Sequence, residues 1–205
     1  MRAAVLASLA AVACLAAPAA LRAIVLDVNQ DEAYRAIAIG RRTQPERTRF
    51  HAGYLITASD PTIERVEVLT PFRRVVVETE RRLDFGDHQF GARQAADVIK
   101  KWRSTLTINV RIRFHPQNVY ATVPPYETIV ASSPGGDEVR LGDVRRTPLF
   151  AQASPDQPGV GTALIGAIIE SDFDLAAVGQ TTRVVSVMLG DKTLARATID
   201  FAKLD

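Results

Sequence analysis

Two segments of the chain alternate apolar and polar side chains. In residues 106–114 every second side chain is apolar, and residues 195–201 repeat the pattern. Successive side chains of a strand point to opposite faces, so this period predicts strands with one buried and one wet face. Residues 182–189 and 193–201 flank Gly190-Asp191-Lys192, which predicts a hairpin. The chain is therefore predicted to be built on antiparallel sheet.

Shorter apolar stretches predict further strands. Val75-Val76-Val77 favours strand over helix, because β-branched residues pack well on a pleated surface. Pro124-Pro125 cannot donate to a ladder, so it marks an edge or a bend between two short strands. Five segments are predicted to be extended: 50–57, 63–69, 73–80, 119–123 and 126–131.

Two segments have the pattern of a helix. Residues 29–42 begin with Asn29 as a candidate N-cap and carry acidic residues in the first turn and arginines at the end. In residues 90–104, apolar side chains recur every three or four positions, which predicts one buried stripe. Residues 44–49 are polar and contain Pro45, and we expect them to be a connector.

Residues 133–161 contain four prolines and five glycines, and we expect a functional loop, a sheet crossover or a mobile excursion there. Many strands, two helices and no βαβ rhythm predict a mainly β fold, a β-sandwich or partly open barrel with two packed helices. An α+β fold is the alternative. We expect residues 20–205 to form a single mostly β globular domain.

The N-terminus has the pattern of a secretory signal peptide. Met1-Arg2 is followed by an apolar run to Ala17 and by Ala17-Pro18-Ala19, with small residues where a signal peptidase reads. We expect residues 1–19 to be a signal peptide and the protein to be exported to the periplasm or the extracellular space.

Two other interpretations of the N-terminus stay open. The apolar run nearly continues to Leu26, so an uncleaved membrane anchor is possible. Cys14 follows Ala11-Val12-Ala13, which loosely resembles a lipoprotein signal. Cys14 is the only cysteine, so a chain cleaved after Ala19 has no disulfide, thiolate nucleophile or cysteine zinc site.

Composition and charge exclude some classes of protein. The chain of 205 residues is 47% hydrophobic and 23% charged, which is typical of a soluble globular domain and not of a disordered chain. A formal net charge of +2 gives no global attraction to nucleic acid. We therefore expect no nucleic-acid partner.

Candidate residues for chemistry are few. His51, His88 and His115 are three imidazoles that would suit a catalytic zinc if they converged, with Asp87 as orienting group or base, although their spacing matches no metal signature. Glu78, Glu80 and Asp84 are candidates for paired carboxylates by location alone. The sequence has no Gly-x-Ser-x-Gly and no Ser-x-x-Lys motif, and we expect no cofactor.

Two pairs of residues are candidates for binding. Arg111 and Arg113 share one face of a predicted strand, where they could bind an anionic glycan or a lipid head group. Tyr120 and Tyr126 flank the Pro124-Pro125 bend, and exposed tyrosines beside proline loops often form binding surfaces.

These observations favour an exported, non-catalytic binding or assembly module of the bacterial cell envelope. An exported hydrolase, metal-assisted through the histidines, is the alternative. The expected partner is an envelope protein or a glycan. A membrane partner is expected only if the signal is uncleaved or Cys14 is lipidated, and the sequence leaves the oligomeric state open.

Overall fold

The computed structural model describes residues 27–151 and 163–204. The predicted signal peptide, Cys14 and part of the segment 133–161 lie outside them. The strands are β1 (Leu55–Ile56), β2 (Ile63–Leu69), β3 (Thr105–Arg113), β4 (Tyr126–Ala131), β5 (Leu141–Phe150), β6 (Leu164–Asp174), β7 (Thr182–Leu189) and β8 (Lys192–Asp200). The helices are α1 (Gln30–Gly40), α2 (Gln44–Ala52), α3 (Pro71–Asp84), α4 (Ala92–Trp102) and the single turn α5 (Leu175–Val178), and a 3₁₀ turn covers Phe201–Lys203.

The strands form two antiparallel sheets. The large sheet has the order β1-β2-β3-β6-β5, and the small sheet has the order β4-β7-β8. The prediction of a mainly β or α+β fold is therefore confirmed at that level, while the described helices outnumber the two that the sequence predicted.

Buried side chains form two clusters. The first contains residues of both sheets, among them Ile108 of β3, Val130 of β4 and Val185 of β7. The second joins α1, α3 and α4, through side chains such as Ile37, Phe72 and Ile99. Partly buried Phe50 of α2 packs against both clusters. The helices thus form a layer with its own apolar interior.

Elements with a long periodic pattern lie where the sequence predicted them. The helix α1 begins after Asn29, whose Oδ1 accepts a hydrogen bond from the Glu32 backbone N–H at 2.9 Å. The strongest predicted strand is β3, with buried even-numbered residues, and β7 and β8 form the predicted hairpin. Gly190 turns this hairpin with φ of +56°, a conformation that glycine adopts without strain.

The prediction of a strand at residues 73–80 was wrong, because this segment lies within α3. Thr70 caps the helix, its hydroxyl accepting from the Arg73 backbone N–H at 3.1 Å, and Pro71 occupies the first helical position. The buried residues Phe72, Val76 and Thr79 recur at helical spacing. Capping and tertiary packing outweigh the strand propensity of three consecutive valines.

The prediction of a connector at residues 44–49 was also wrong, as was extended structure before Leu55. The helix α2 starts after Thr43, whose backbone N–H and hydroxyl both donate to Glu46 Oε2, at 3.1 and 2.7 Å. Pro45 is tolerated in the first turn, where a backbone N–H has no intrahelical partner. The hydrogen bonds between Thr43 and Glu46 thus cap the start of a helix in a segment whose polar composition had suggested a loop.

Two further predictions need correction. Residues 119–123 are irregular: the Asn118 side chain accepts from the Tyr120 backbone N–H at 3.0 Å, which turns the chain before the prolines. The segment 133–161 contains the ten-residue strand β5, which lies at an edge of the large sheet, where Pro148 is tolerated. Residues 152–162 of that segment lie outside the described residues.

A pH-dependent contribution to stability is predicted at Asp60. Its carboxylate accepts from Lys192 Nζ at 2.8 Å and from the Thr62 hydroxyl at 2.6 Å, which links the turn before β2 to the β7–β8 hairpin. The hydrogen bond from Lys192 lowers the pKa of Asp60 to about 2. Replacing Asp60 with asparagine should lower the free energy of unfolding by about 1 kcal/mol at neutral pH, because the exposed Lys192 is screened by water.

The folded pKa of Asp60 lies below the unfolded value of about 4, so this contribution is full above that value and is lost as the pH falls toward 2. Urea denaturation of the wild type and the Asp60→Asn variant should show a difference that shrinks on acidification. The Asp191→Asn variant is the control, because Asp191 is exposed in the same hairpin. A difference that stays constant or grows in acid would contradict the assignment.

Candidate functional site

The large sheet has one face toward the apolar core and an outer face that carries polar side chains. On β3 the buried residues Ile108 and Ile112 alternate with Asn109, Arg111 and Arg113, as the period of two requires. Antiparallel register places Glu170 of β6 beside Asn109 on the outer face.

Trp102 at the end of α4 covers one part of the outer face. Its ring lies 3.6 Å from the Arg74 guanidinium carbon and 5.6 Å from that of Arg145. Arg74 also donates to the Thr107 hydroxyl at 2.5 Å, and Arg145 donates to Asp172 at 2.6 Å. These contacts hold the helical layer over the start of β3. The other end of β3 is exposed.

Arg111 and Arg113, at the exposed end of β3, share one carboxylate. Arg111 Nε lies 2.8 Å from Glu64 Oε2, and Arg113 forms an ion pair with Glu64 Oε1. The side chains of Arg111 and Arg113 are 54% and 75% exposed, whereas that of Glu64 is 24% exposed. Two guanidinium groups on one carboxylate leave one positive charge in excess. We call Arg111 and Arg113 the arginine pair.

A depression of about 290 Å³ lies against the arginine pair. We call it the β3-end pocket. Its lining combines charged and amide groups with apolar side chains: Arg111, Arg113, His115, Asn118, Leu149 and Ile165. His115 Nδ1 accepts from the Gln117 backbone N–H at 3.2 Å, so the neutral ring carries its proton on Nε2. The pocket therefore combines guanidinium donors, the Glu64 carboxylate and apolar surface.

Asn118 fixes the chain that borders the pocket. Its amide Nδ2 donates to the carbonyls of His115 and Leu164, at 2.9 and 3.0 Å. The first bond closes the turn after β3, and the second ties that turn to the start of β6. The pocket wall is thus held by side-chain bonds to two strands of the same sheet.

The two candidate tyrosines differ in exposure. Tyr120 is 45% exposed, and its ring packs edge-on against Phe114, a pocket residue, at 5.1 Å between centroids. Tyr126 is 4% exposed, and its ring stacks against the same Phe114 ring at 6.4 Å between centroids. Burial raises the pKa of Tyr126 to about 12. Tyr120 therefore packs against one residue of the pocket lining, whereas Tyr126 is a core residue.

The structure does not bring the three histidines together. His51 lies on α2, His88 lies in the loop after α3, and His115 follows β3. Asp87 accepts from Arg82 at 3.2 Å, so it is engaged in the loop of His88. In residues 27–151 and 163–204, no three histidine, cysteine, aspartate or glutamate side chains are grouped so that they could hold a metal ion.

The candidate carboxylates Glu78, Glu80 and Asp84 lie on α3. Glu78 accepts from Arg81 at 2.6 Å, and this hydrogen bond lowers its pKa. Glu80 accepts from His51 Nε2 at 2.9 Å. A general acid needs a raised pKa to hold its proton at neutral pH, so the ionised Glu78 is unsuited to that role.

Arg73 is the centre of a buried polar network that the sequence gave no reason to expect. Its guanidinium is 1% exposed and donates to Glu67 Oε2 at 2.7 Å, to His51 Nδ1 at 3.3 Å and to the Val68 carbonyl. The Tyr54 ring lies 4.9 Å from its central carbon. Because the donors are turned inward, this network joins α2, α3 and β2 and is suited to stabilise the fold.

Comparison of the chain with protein-family models, with curated proteins and with solved structures gave no match.

Proposed function

We propose that this chain is an exported, non-catalytic binding module of the cell envelope that holds an anionic glycan at the β3-end pocket. The observation that carries the proposal is the arginine pair. Two largely exposed guanidinium groups on one shared carboxylate give the pocket an excess positive charge on a rigid sheet.

The remaining donors of the arginine pair support an anionic ligand. A guanidinium group carries five N–H groups in a fixed fork that matches carboxylate and phosphate oxygens. Glu64 pairs with one nitrogen of each arginine. The other N–H groups of Arg111 and Arg113 can therefore bind a ligand. Such charge-assisted bonds are shorter and stronger than those between neutral groups.

The rest of the pocket supports a sugar as the carrier of that charge. Sugars present hydroxyl groups at their edges and C–H groups on their faces. His115 supplies a polar group for the former, and Leu149 and Ile165 supply apolar surface for the latter.

Calorimetric titration with a panel of acidic and neutral oligosaccharides tests the proposal. We expect an acidic oligosaccharide to bind and the Arg111→Ser/Arg113→Ser double variant to bind it at least about tenfold more weakly, since each lost charge-assisted bond contributes about 1.5 kcal/mol or more. The Arg42→Ser/Arg49→Ser variant is the matched control, because both arginines are exposed and lie in the helical layer.

Two outcomes would contradict the proposal. One is equal binding by wild type and the Arg111→Ser/Arg113→Ser variant, and the other is a preference for neutral oligosaccharides. Hydrolysis of an oligosaccharide during the titration would contradict its non-catalytic part. Cell fractionation of the full chain tests export, which should place the protein outside the cytoplasm.

A further inference from the structure

A second depression lies between the start of α1 and α4, remote in sequence from the β3-end pocket. Its volume is about 640 Å³. Its apolar lining comes from Val28, Ala33, Ala92, Ala96 and Ile99. We call it the α1–α4 groove. The small alanine side chains of α4 keep it open, while Ala33 and Ile99 belong to the apolar interior of the helical layer.

Three cations border the α1–α4 groove. Arg93, Lys100 and Arg103 line it and are exposed. Arg93 and Lys100 are seven residues apart in α4, which places them on one side of the helix, and Arg103 directly follows the helix. No acidic side chain is among the described residues that line the groove. Asp27 approaches Arg103 only to 3.8 Å, and both side chains are more than two thirds exposed. The positive charge of this rim is thus largely uncompensated.

Apolar lining and a cationic rim together match an amphiphile with a negative head group. The position of the groove supports a bilayer as the source. Val28 lines the groove, and in the sequence it follows closely on the apolar stretch Ile24-Val25-Leu26. Whatever the fate of residues 1–19, the chain enters the described part at this groove, with apolar residues just before it.

We propose that the α1–α4 groove is a docking surface for a bilayer that contains anionic phospholipid. The cations contact the head groups, and the groove accepts apolar parts of the interfacial lipid. In the described residues no helix is both long and apolar enough to cross a membrane, and the proposal concerns contact with the bilayer surface. It is independent of the glycan site, which lies on another surface and uses other arginines.

Vesicle co-sedimentation tests the proposal, with all variants carrying the wild-type N-terminus. We expect binding to vesicles of phosphatidylglycerol and phosphatidylcholine and much weaker binding to phosphatidylcholine alone. The triple variant Arg93→Ser/Lys100→Ser/Arg103→Ser should bind the anionic vesicles about two orders of magnitude more weakly, since each surface cation contributes about a factor of five. The triple variant Arg42→Ser/Arg49→Ser/Arg140→Ser removes as many exposed cations outside the groove and should bind like the wild type.

A second pair of variants tests the apolar part of the surface. Ala96 and Ala38 are both exposed helical alanines, but only Ala96 is among the groove residues. Ala96→Asp should weaken binding strongly, whereas Ala38→Asp should not.

Several results would overturn the proposal. These are equal binding to neutral and anionic vesicles, equal loss in the two triple variants, and equal loss in Ala96→Asp and Ala38→Asp. Circular dichroism identifies any variant that fails to fold. A rise in salt concentration should also release the wild type from anionic vesicles, because salt screens surface charges. Salt-independent binding of the wild type would therefore overturn the proposal without any variant.

Discussion

Replacing Arg73 with methionine should lower the free energy of unfolding by about 3–5 kcal/mol. The guanidinium is 1% exposed and serves Glu67, His51 and the Val68 carbonyl at once. Methionine has a similar length but no donors, so it leaves the largely buried Glu67 carboxylate with only the half-exposed Arg65 as a counter-charge. The loss of one partner of a buried pair costs far more than the pair itself contributes.

Urea denaturation measures this effect, and Arg65→Met is the matched control. Arg65 also binds Glu67 Oε2, at 2.9 Å, but its side chain is 49% exposed. An exposed ion pair contributes about 0–1 kcal/mol, so the control should differ little from the wild type. If Arg73→Met were no less stable than Arg65→Met, the network would not hold α2, α3 and β2 together as described.

Gly40→Ala should lower the free energy of unfolding by about 1–3 kcal/mol, although alanine is the better helix former. Gly40 is buried where α1 crosses α3. A Cβ atom there would lie 2.7 Å from Thr79 Cβ and 2.8 Å from the Val76 carbonyl oxygen. Since the latter is backbone, a rotamer change cannot relieve the contact, and the two helices must move apart.

Gly53→Ala is the comparison for Gly40→Ala in thermal or urea denaturation. Gly53 follows α2 with φ of −66°, and a Cβ atom there would have its nearest neighbour at 3.7 Å, which is ordinary van der Waals contact. The Gly53→Ala variant should therefore be as stable as the wild type or slightly more stable. Equal stability of both alanine variants would show that α1 and α3 pack less closely than described.

The fold class could be predicted from the segments in which one periodic pattern of apolar residues was long. The alternation that ends at Phe114 predicted β3, and the two segments around Gly190 predicted the β7–β8 hairpin. The strand β6 also alternates, with Ala167, Ile169 and Phe173 buried, but a pattern interrupted by Gly166 and Ser171 is weaker evidence for a strand. Its eleven residues nevertheless pair with both β3 and β5.

Local sequence misled where capping decided the structure. Thr70-Pro71 and Thr43 with Glu46 are helix starts, but the valines of α3 and the polar residues of α2 suggested strand and loop. Capping signals carry about 1 kcal/mol, comparable with the propensity differences they opposed. Packing of α3 against α1 then favours the helix. Such long-range contacts cannot be predicted from the apolar pattern of a single segment.

The candidate site followed from sequence only in part. Period two placed Arg111 and Arg113 on one face of β3. The shared partner Glu64 could not be predicted, because the β2–β3 register shifts between Ile63 and Arg65. The pocket could not be predicted either, because Ile165, which lines it, lies in β6, more than fifty residues after β3 in the sequence. Burial of Tyr126 likewise depends on how the small sheet faces the core.

NMR of the arginine Nε–H groups during titration with an acidic oligosaccharide tests the proposed function most directly. The account predicts that the Nε–H signals of Arg111 and Arg113 shift together and saturate at one ligand per chain. Arg183 and Arg196 of the small sheet, whose Nε–H groups are bonded within the protein, should keep their positions. Shifts spread evenly over exposed arginines, or confined to residues outside the β3-end pocket, would contradict it.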